Sequence, residues 1–350
     1  MGTNEDQFTY AMQLVTSTSL TMVLVSSIKL KVLDAIAEAG PHAHLSAHEI
    51  ATRLTIPNQN APAMIDRMLR LLASHSVVTC TERNHDSKLE RVYGLTPVAK
   101  YFIPNEDGVS LGAFMELLQD KIFINNWFGL ADSVVEGVVS FDKIYGTRSD
   151  EYPALDARFN AVFNKAMVNH TTIVMKEILE RYHGFNNIKN MVDVGGGLGV
   201  TLNMIVSKYP TIKGINFDQP HVIHCAPIYP GIEHVGGDMF DCVPQGDVIF
   251  MKWLLHILSD DQCSKLLKNC YKALPDDGKV ISIEANLPFL SDTSSAMKVT
   301  THLDTMLMTK YSGGKERTED EYLALVKGAG FTGLAKKCLV CNLWVMEFYK

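Results

Sequence analysis

Residues 191–200, which read Met-Val-Asp-Val-Gly-Gly-Gly-Leu-Gly-Val, constrain the fold of this 350-residue chain more than any other stretch. The apolar run at their start ends abruptly in three glycines, which is typical of a buried strand that breaks into a tight turn. Glycine adopts positive φ and lets the backbone approach a ligand closely. Apolar residues then recur at helical spacing from 200 to 209. A strand, a glycine turn and a helix N-terminus together predict a site for a nucleotide-like ligand.

The acids around this turn indicate which nucleotide-like ligand it binds. The dinucleotide fingerprint G-x-G-x-x-G, counted from Gly195, has Val200 where its third glycine belongs. Asp193 lies two residues before Gly195, where a carboxylate repels a pyrophosphate but suits a ligand with a positive charge, such as S-adenosylmethionine. Asp218 ends the next strand-like run, where doubly wound sheets hold ribose hydroxyls. A purely structural glycine turn with two solvated acids is the alternative.

Apolar runs alternate with a helical pattern after the glycine turn. The runs cover residues 214–217, 247–252 and 279–284, and a helix with one apolar face is predicted over 260–274. This alternation predicts an α/β fold with a parallel sheet that is covered on both faces and binds ligands at the carboxyl ends of its strands. The candidate residues at those ends are Asp218, Asp238, Met239, Lys252, His256 and Glu284.

The composition excludes several classes of partner and site. A net charge of −7 makes nucleic acid and anionic membranes poor partners. Of the seven cysteines, only Cys338 and Cys341 have a C-x-x-C spacing, and no second pair completes a zinc site. We therefore expect no metal, and two reduced thiols in a sheet. Glu5 and Asp6 stand where an export signal has basic residues, so a cytoplasmic protein in a reducing compartment is predicted.

Residues 1–110 are predicted to form a mainly helical N-terminal domain. Residues 11–25 read as one helix that is too short and too polar to cross a membrane. A second apolar run follows at 28–36. Helices as apolar as these around their girth need a partner chain to cover them, which predicts a homodimer.

A winged helix is predicted in the rest of this domain. Ser46 and Glu49 have the spacing of a capping box and start a helix over 47–54, and a second helix covers Ala61–Ser74. Two strand-like runs at 77–80 and 91–95 then flank the polar tip at 84–88. Residues 1–100 contain nine Lys or Arg and nine Asp or Glu, so the domain lacks the basic face that DNA binding needs. We expect it to make dimer contacts instead.

Residues 111–350 form the second predicted domain, which begins with a mostly helical connection up to residue 182. Phe159, Phe163, Met167 and His170 fall on one face of a single helix there. Such a stripe is usually part of a core. A flat aromatic substrate needs much the same wall, in which Met adapts to its shape.

Six motifs recur in this order in the plant caffeate-type O-methyltransferases of small molecules, which use S-adenosylmethionine, and the chain resembles this family from about residue 10 to its end. The motifs lie at residues 193–199, 214–218, 234–239, 250–253, 278–280 and 313–318. The resemblance implies an N-terminal winged-helix dimerisation domain and a Rossmann-like, doubly wound S-adenosylmethionine domain. The family also includes members that methylate an aromatic amine.

The same resemblance implies roles for individual residues. His256 falls on the family's catalytic base, with Glu284 and Glu316 on the two acids that flank it. The family's cofactor positions fall on Asp193, Gly195, Asp218, Asp238, Met239 and Lys252. The substrate positions fall on Leu118, Phe159, Phe163, Met167, His170, Met306, Leu307 and Tyr311. The implied reaction is methyl transfer to a hydroxyl of a small phenolic, phenylpropanoid-like or alkaloid-like plant metabolite.

Departures from the family pattern leave alternatives open. Ile257 and Leu258 stand where the family has Asp-Trp, and Leu118 and Tyr311 stand where the lignin-type enzymes have asparagines. The sequences of residues 198–202 and 340–343 resemble those of relatives that N-methylate anthranilate, so N-methylation of an aromatic amine is one alternative. A catalytically impaired partner subunit is another. An NAD-dependent dehydrogenase is opposed by Asp193 and by the missing third glycine.

Overall fold

The computed structural model describes residues 4–85 and 88–350. The chain divides into two compact units, residues 1–120 and residues 121–350. Each unit has its own hydrophobic core, one in the first and two in the second. Residues 86 and 87, in the predicted polar tip, lie outside the described residues.

The first unit has the winged-helix order that the sequence predicts. Its elements are α1 (Asn4–Val15), α2 (Thr18–Lys29), α3 (Val32–Ala37), β1 (Leu45–Ser46), α4 (Ala47–Arg53), α5 (Ala61–Ser74), β2 (Val78–His85), β3 (Lys88–Leu95) and α6 (Gly112–Leu118). The strands form an antiparallel sheet in the order β1-β3-β2. The predicted capping box is confirmed, since the Ser46 amide donates to Glu49 at 2.7 Å and the Glu49 amide donates back to Ser46 at 3.3 Å.

The prediction of one helix over residues 11–25 is wrong, because the chain breaks between α1 and α2. At the break the Thr16 hydroxyl donates to the Met12 carbonyl at 2.8 Å, so a side chain competes with the backbone for that acceptor. A second break separates α2 from α3 at Lys31, which has a left-handed φ of 58°. Among the described residues no single helix is long and apolar enough to cross a membrane, although α1 and α2, bent by 48°, meet those criteria when taken together.

The second unit begins with helices and continues as an α/β domain. Its helices are α7 (Lys121–Phe128), α8 (Leu130–Glu136), α9 (Ser140–Tyr145), α10 (Ala157–Arg181), α11 (Val200–Lys208), α12 (Pro220–Ile223), α13 (Asp260–Ala273), α14 (Ser295–Met308) and α15 (Glu319–Gly328). Its strands are β4 (Asn190–Val194), β5 (Lys213–Asp218), β6 (Ile232–Gly236), β7 (Val248–Lys252), β8 (Lys279–Glu284), β9 (Gly333–Val340) and β10 (Leu343–Tyr349).

The seven strands form one sheet in the order β6-β5-β4-β7-β8-β10-β9. The strands from β6 to β8 pair in parallel, and β10 runs antiparallel to both of its neighbours. The chain order reverses between β4 and β7, and this switch point is where open α/β sheets bind ligands. The predicted doubly wound domain is confirmed, with a C-terminal hairpin added to it.

Side chains alternate between the two faces of this sheet, and each face has its own core. Val192 and Ile249 point to the core that contains α13 and α15. Their neighbours Met191 and Phe250 point to the core that contains α10 and α11. Because both faces are covered, the central strands β4 and β7 are mostly apolar, as the sequence predicts.

One cysteine lies outside the predicted sheet. Cys338 lies in β9, but Cys341 and Asn342 form the turn between β9 and β10, with φ of 50° and 62°. Two consecutive residues with positive φ make the tight turn whose twist matches that of the adjoining strands. Both thiols are free.

Candidate functional site

The glycine turn follows β4 at the switch point of the sheet. Gly195 has a φ of 70°, and a Cβ added to it would lie 3.0 Å from the Leu254 side chain. A Cβ added to Gly196 would collide with the Asn216 amide and the Asp193 carboxylate. Glycine is therefore required at both positions, at Gly195 also because of its backbone conformation.

Asp218 joins the end of β5 to this turn. Its Oδ2 accepts from the Gly197 amide at 2.8 Å, and its Oδ1 accepts from the Gln219 amide at 2.7 Å. Burial raises the pKa of Asp218, and the two backbone amides oppose that rise. Each carboxylate oxygen can accept a second hydrogen bond, so the group is held in place and still able to bind a hydroxyl.

Asp193 is the most deeply buried acid next to the turn. It is 2 % exposed, and its Oδ2 has no hydrogen-bond partner among the residues that the structure describes. Burial and the nearby charge of Asp218 raise the pKa of Asp193 to about 8. Because an unpaired buried carboxylate is costly, this position fits a ligand that brings a positive charge or hydrogen-bond donors.

Lys252 ends β7, and Asp238 and Met239 follow β6. Burial lowers the pKa of Lys252 to about 8, against the opposing charges of Glu284 and Asp193. Asp238 is exposed and accepts from the Phe240 amide at 2.8 Å. The half-buried Met239 packs against the core of the sheet. These three predicted cofactor positions therefore lie at the carboxyl edge of the sheet, Lys252 as the last residue of its strand and Asp238 and Met239 on the loop after theirs.

His256 lies in a short 3-10 helix after β7 and is 7 % exposed. Its Nδ1 is 2.9 Å from Oε1 of Glu316. Burial lowers the pKa of His256, but the hydrogen bond to Glu316 and the charges of Glu284 and Glu316 outweigh burial, so the pKa is raised. The structure thus brings the three predicted catalytic residues together.

Glu284 contacts the backbone before the histidine rather than its ring. Its Oε1 accepts from the amides of Leu254 and Leu255 at 3.0 and 2.8 Å. Burial raises the pKa of Glu284 to about 7, and the charge of His256 opposes that rise. Glu284 therefore fixes the turn that carries His256, and Glu316 contacts its ring.

A stack of three flat rings connects the predicted aromatic wall to this histidine. Trp253 lies 4.0 Å from His170, with 17° between the ring planes, and 5.8 Å from His256, with 23° between the planes. Trp253 has a positive φ of 56°, which is rare for a bulky residue and occurs where the surroundings enforce it. Trp253 belongs to the motif at residues 250–253, but nothing in the spacing of that motif indicates that the three rings stack.

The other predicted substrate residues occupy several elements. On α10, Phe159 is buried, lies 6.5 Å from Phe163 by ring centroids, and packs edge-on against Phe123 at 5.2 Å. Burial lowers the pKa of His170 well below its usual value. The structure places the remaining residues as follows: Met167 half-buried on α10, Met306 half-buried and Leu307 buried on α14, Tyr311 half-buried after α14, and Leu118 at the end of α6 in the first unit.

Arg317 is a structural contributor to the site that sequence reasoning missed. It is fully buried, and its guanidinium donates to the carbonyls of Leu255 and Leu258 at 2.6 and 2.7 Å. A third bond joins it to Asp260 at 2.9 Å. Arg317 thus holds both sides of the segment that contains His256. It stands in the 313–318 motif, and its position beside Glu316 was the available signal.

The two residues that replace the family's Asp-Trp belong to the core. Leu258 is buried among the apolar residues next to α13, and Ile257 packs against the same cluster. Within residues 4–85 and 88–350, no group of three or more His, Cys, Asp or Glu side chains is placed to hold a metal ion.

The chain matches two family models. An O-methyltransferase domain covers residues 127–332, and an O-methyltransferase dimerisation domain covers residues 12–105. Catechol O-methyltransferase 1 of Solanum lycopersicum is 54% identical over 99% of this chain and 96% of its own length. Caffeic acid 3-O-methyltransferase of Medicago sativa is 52% identical over 99% of this chain and 95% of its own length. Human N-acetylserotonin methyltransferase, solved with S-adenosylmethionine, shares the fold with a TM-score of 0.82 at 21% identity, over 100% of this chain and 99% of its own.

Proposed function

This chain belongs to the S-adenosylmethionine-dependent O-methyltransferases, and we propose that it methylates a phenolic hydroxyl of a small aromatic metabolite with His256 as general base. The observation that carries the proposal is the buried His256–Glu316 pair, 2.9 Å apart. It lies two residues beyond Leu254, whose side chain faces Gly195 in the glycine turn. The relatives' names support a phenolic acceptor, because they act on catechol and caffeic acid.

The residues around the glycine turn fit the cofactor. S-adenosylmethionine supplies a methyl group that is activated by its positively charged sulfur. Asp193 offers a buried carboxylate whose Oδ2 has no hydrogen-bond partner among the described residues, which suits a cationic ligand. Asp218 has acceptor capacity for the ribose hydroxyls, and Gly195 leaves space for the ligand. We assign Asp238, Met239 and Lys252 to the remainder of this site.

His256 removes the proton that makes a phenol a poor nucleophile. A phenol has a pKa near 10, so little phenolate exists at neutral pH. Nδ1 of His256 contacts Glu316, which leaves Nε2 to accept the phenolic proton. As that proton arrives, the phenolic oxygen forms its bond to the methyl carbon and the carbon–sulfur bond breaks. Glu316 stabilises the imidazolium that results, and Glu284 keeps the turn before the ring in place.

An aromatic wall orients the acceptor. Phe159, Phe163 and Met167 share one face of α10, and His170 extends that face to the Trp253 ring. Methyl transfer is an in-line displacement, so holding the acceptor at a fixed angle contributes directly to the rate. We assign Met306, Leu307 and Tyr311 to acceptor contacts as well.

Replacement of His256 tests the reaction and distinguishes oxygen from nitrogen as the acceptor. His256→Ala is expected to lower kcat/KM for a phenol by about 10²–10⁴-fold. Raising the pH is expected to restore part of this loss, because the solution then supplies phenolate. An aromatic amine has a lone pair without losing a proton, so its N-methylation is expected to fall much less.

Mass spectrometry of the methylated product, over a panel of phenols and anthranilates, measures both rates. His302→Ala, an exposed histidine on α14, is the matched control. If His256→Ala methylated the best phenol at a near-normal rate, that result would contradict the general-base role of His256. If the unaltered chain N-methylated anthranilates faster than it O-methylated phenols, the acceptor would be an aromatic amine and not a phenolic hydroxyl.

We also propose that the chain forms a homodimer through its first unit. The dimerisation-domain match covers α1 and α2 from residue 12 onward. The side chains of Phe8, Tyr10, Leu14 and Val15 are exposed on several sides of α1, and large apolar side chains left exposed in this number are typical of an interface. Light scattering at micromolar concentration is expected to give twice the mass of one chain. A monomer with folded N-terminal helices would contradict the proposal.

A further inference from the structure

Lys310 is a buried cation that the proposed reaction does not use. It follows α14 and is 5 % exposed. Its Nζ lies 3.8 Å from the ring centre of Phe123 and 5.7 Å from that of Tyr311. Among the side chains of residues 4–85 and 88–350, none forms an ion pair with it. The ammonium is therefore enclosed by aromatic faces and lacks a counter-ion.

This ammonium belongs to the same site as the proposed base and acceptor wall. Phe123, which lies under Nζ, packs edge-on against Phe159 of the wall with 5.2 Å between ring centres. The charge of Lys310 also acts on His256 and lowers the pKa of its imidazole. Tyr311, next in the chain, is one of the predicted acceptor contacts. The contact with Phe123 and the effect on His256 place this positive charge beside the acceptor wall.

The buried ammonium of Lys310 is one positive charge that no negative charge among the described side chains balances. Moving an ammonium out of water is costly, and a cation–π contact offsets only part of that cost. Burial accordingly lowers the pKa of Lys310 to about 7. An anion beside Nζ would offset that cost and keep the lysine protonated. One cation among aromatic rings matches a single carboxylate better than a multiply charged phosphate.

We propose that Lys310 binds the carboxylate of the acceptor, so that the enzyme prefers aromatic acids over uncharged phenols of the same shape. This inference rests on the proposed function, since it places the acceptor's ring on the α10 wall and its hydroxyl at His256. Phe123 supports the side-chain position of Lys310 and does not itself select the charge.

Two variants separate the charge of Lys310 from its volume. Lys310→Met keeps an unbranched side chain and removes the charge, and Lys310→Arg keeps the charge. Lys298→Met, at an exposed lysine on α14, the helix that precedes Lys310, is the matched control. The probes are 3,4-dihydroxycinnamic acid and its methyl ester, which share the ring and hydroxyls and differ in charge. Calorimetry of each probe with the chain and S-adenosylhomocysteine measures binding, and product formation measures kcat/KM.

Lys310→Met is expected to weaken binding of the acid about 10–100-fold and that of the ester less than about threefold, because a charge-assisted hydrogen bond is lost only with the acid. Lys310→Arg is expected to retain part of the acid preference, and Lys298→Met all of it. An unchanged ratio of acid to ester affinity would overturn the inference, and so would an equal loss for both probes, which indicates a packing role. Failure to methylate either probe would contradict the proposed function instead, while the binding ratio still decides the role of Lys310.

Discussion

Glu316→Gln tests how the buried carboxylate acts on the proposed base. The substitution keeps the size of the side chain and an oxygen that can accept from Nδ1 of His256, but it removes the charge 2.9 Å from that nitrogen. Burial and the charge of Lys310 remain, and both lower the pKa of His256. Because an adjacent opposite charge stabilises the protonated ring, we expect the pKa of His256 to fall when that charge is removed.

That shift sets the size and the sign of the kinetic effect. A hydrogen bond between charged groups contributes about 1.5–3 kcal/mol, so the imidazolium formed during methyl transfer loses stabilisation of about that size when Glu316 becomes neutral. The plateau rate is then expected to fall about 10–100-fold. Neutral His256 is the active form, and activity rises as pH passes upward through its pKa. A lower pKa of His256 therefore moves this rise in activity toward acid pH.

The assay is a profile of kcat/KM against pH with a phenolic acceptor. Glu319→Gln, an exposed acid in the first turn of α15, is the matched control and is expected to leave the profile unchanged. A loss of rate without movement of the acid limb would refute the reasoning, because Glu316 would then act by packing alone. Movement of the acid limb toward alkaline pH would show that the pKa of His256 rises instead of falling, which contradicts the expected direction.

Two further substitutions probe the cofactor turn and the His256 segment. Asp218→Ala is expected to cost about 1–3 kcal/mol of S-adenosylmethionine affinity, because the ribose hydroxyls lose their acceptor. Calorimetry measures this affinity, and the exposed control Asp241→Ala is expected to retain it. Unchanged binding in Asp218→Ala would remove its ribose assignment. Arg317→Met leaves two buried carbonyls without their donor, at about 1–3 kcal/mol each, and is expected to lower the free energy of unfolding in urea by about 2–6 kcal/mol. The exposed substitution Arg181→Met is the control. A loss below about 1 kcal/mol would contradict this.

Local features explain which parts of the fold were predictable. The helix Ala61–Ser74 and the strand Lys279–Glu284 have the predicted bounds, because apolar periodicity and flanking turn residues act over a few neighbours. The break between α1 and α2 was missed, since it depends on a Thr16 side-chain bond that competes with the helix. The Cys341 turn was missed because the apolar run 338–345 contains no glycine to mark it.

The sequence alone determined the order of the elements, the glycine turn, and the family to which the motifs at 193–199 and 313–318 belong. Each of these depends on residues that are close in the chain. The ring stack of His170 on Trp253, the hold of Arg317 on the carbonyls around His256, and the aromatic enclosure of Lys310 were decided by tertiary structure. These contacts join residues about 60 or more positions apart, or, as with Lys310 and Phe123, nearly 190. No local pattern encodes such distances, because packing of the complete sheet and its helices brings the partners together.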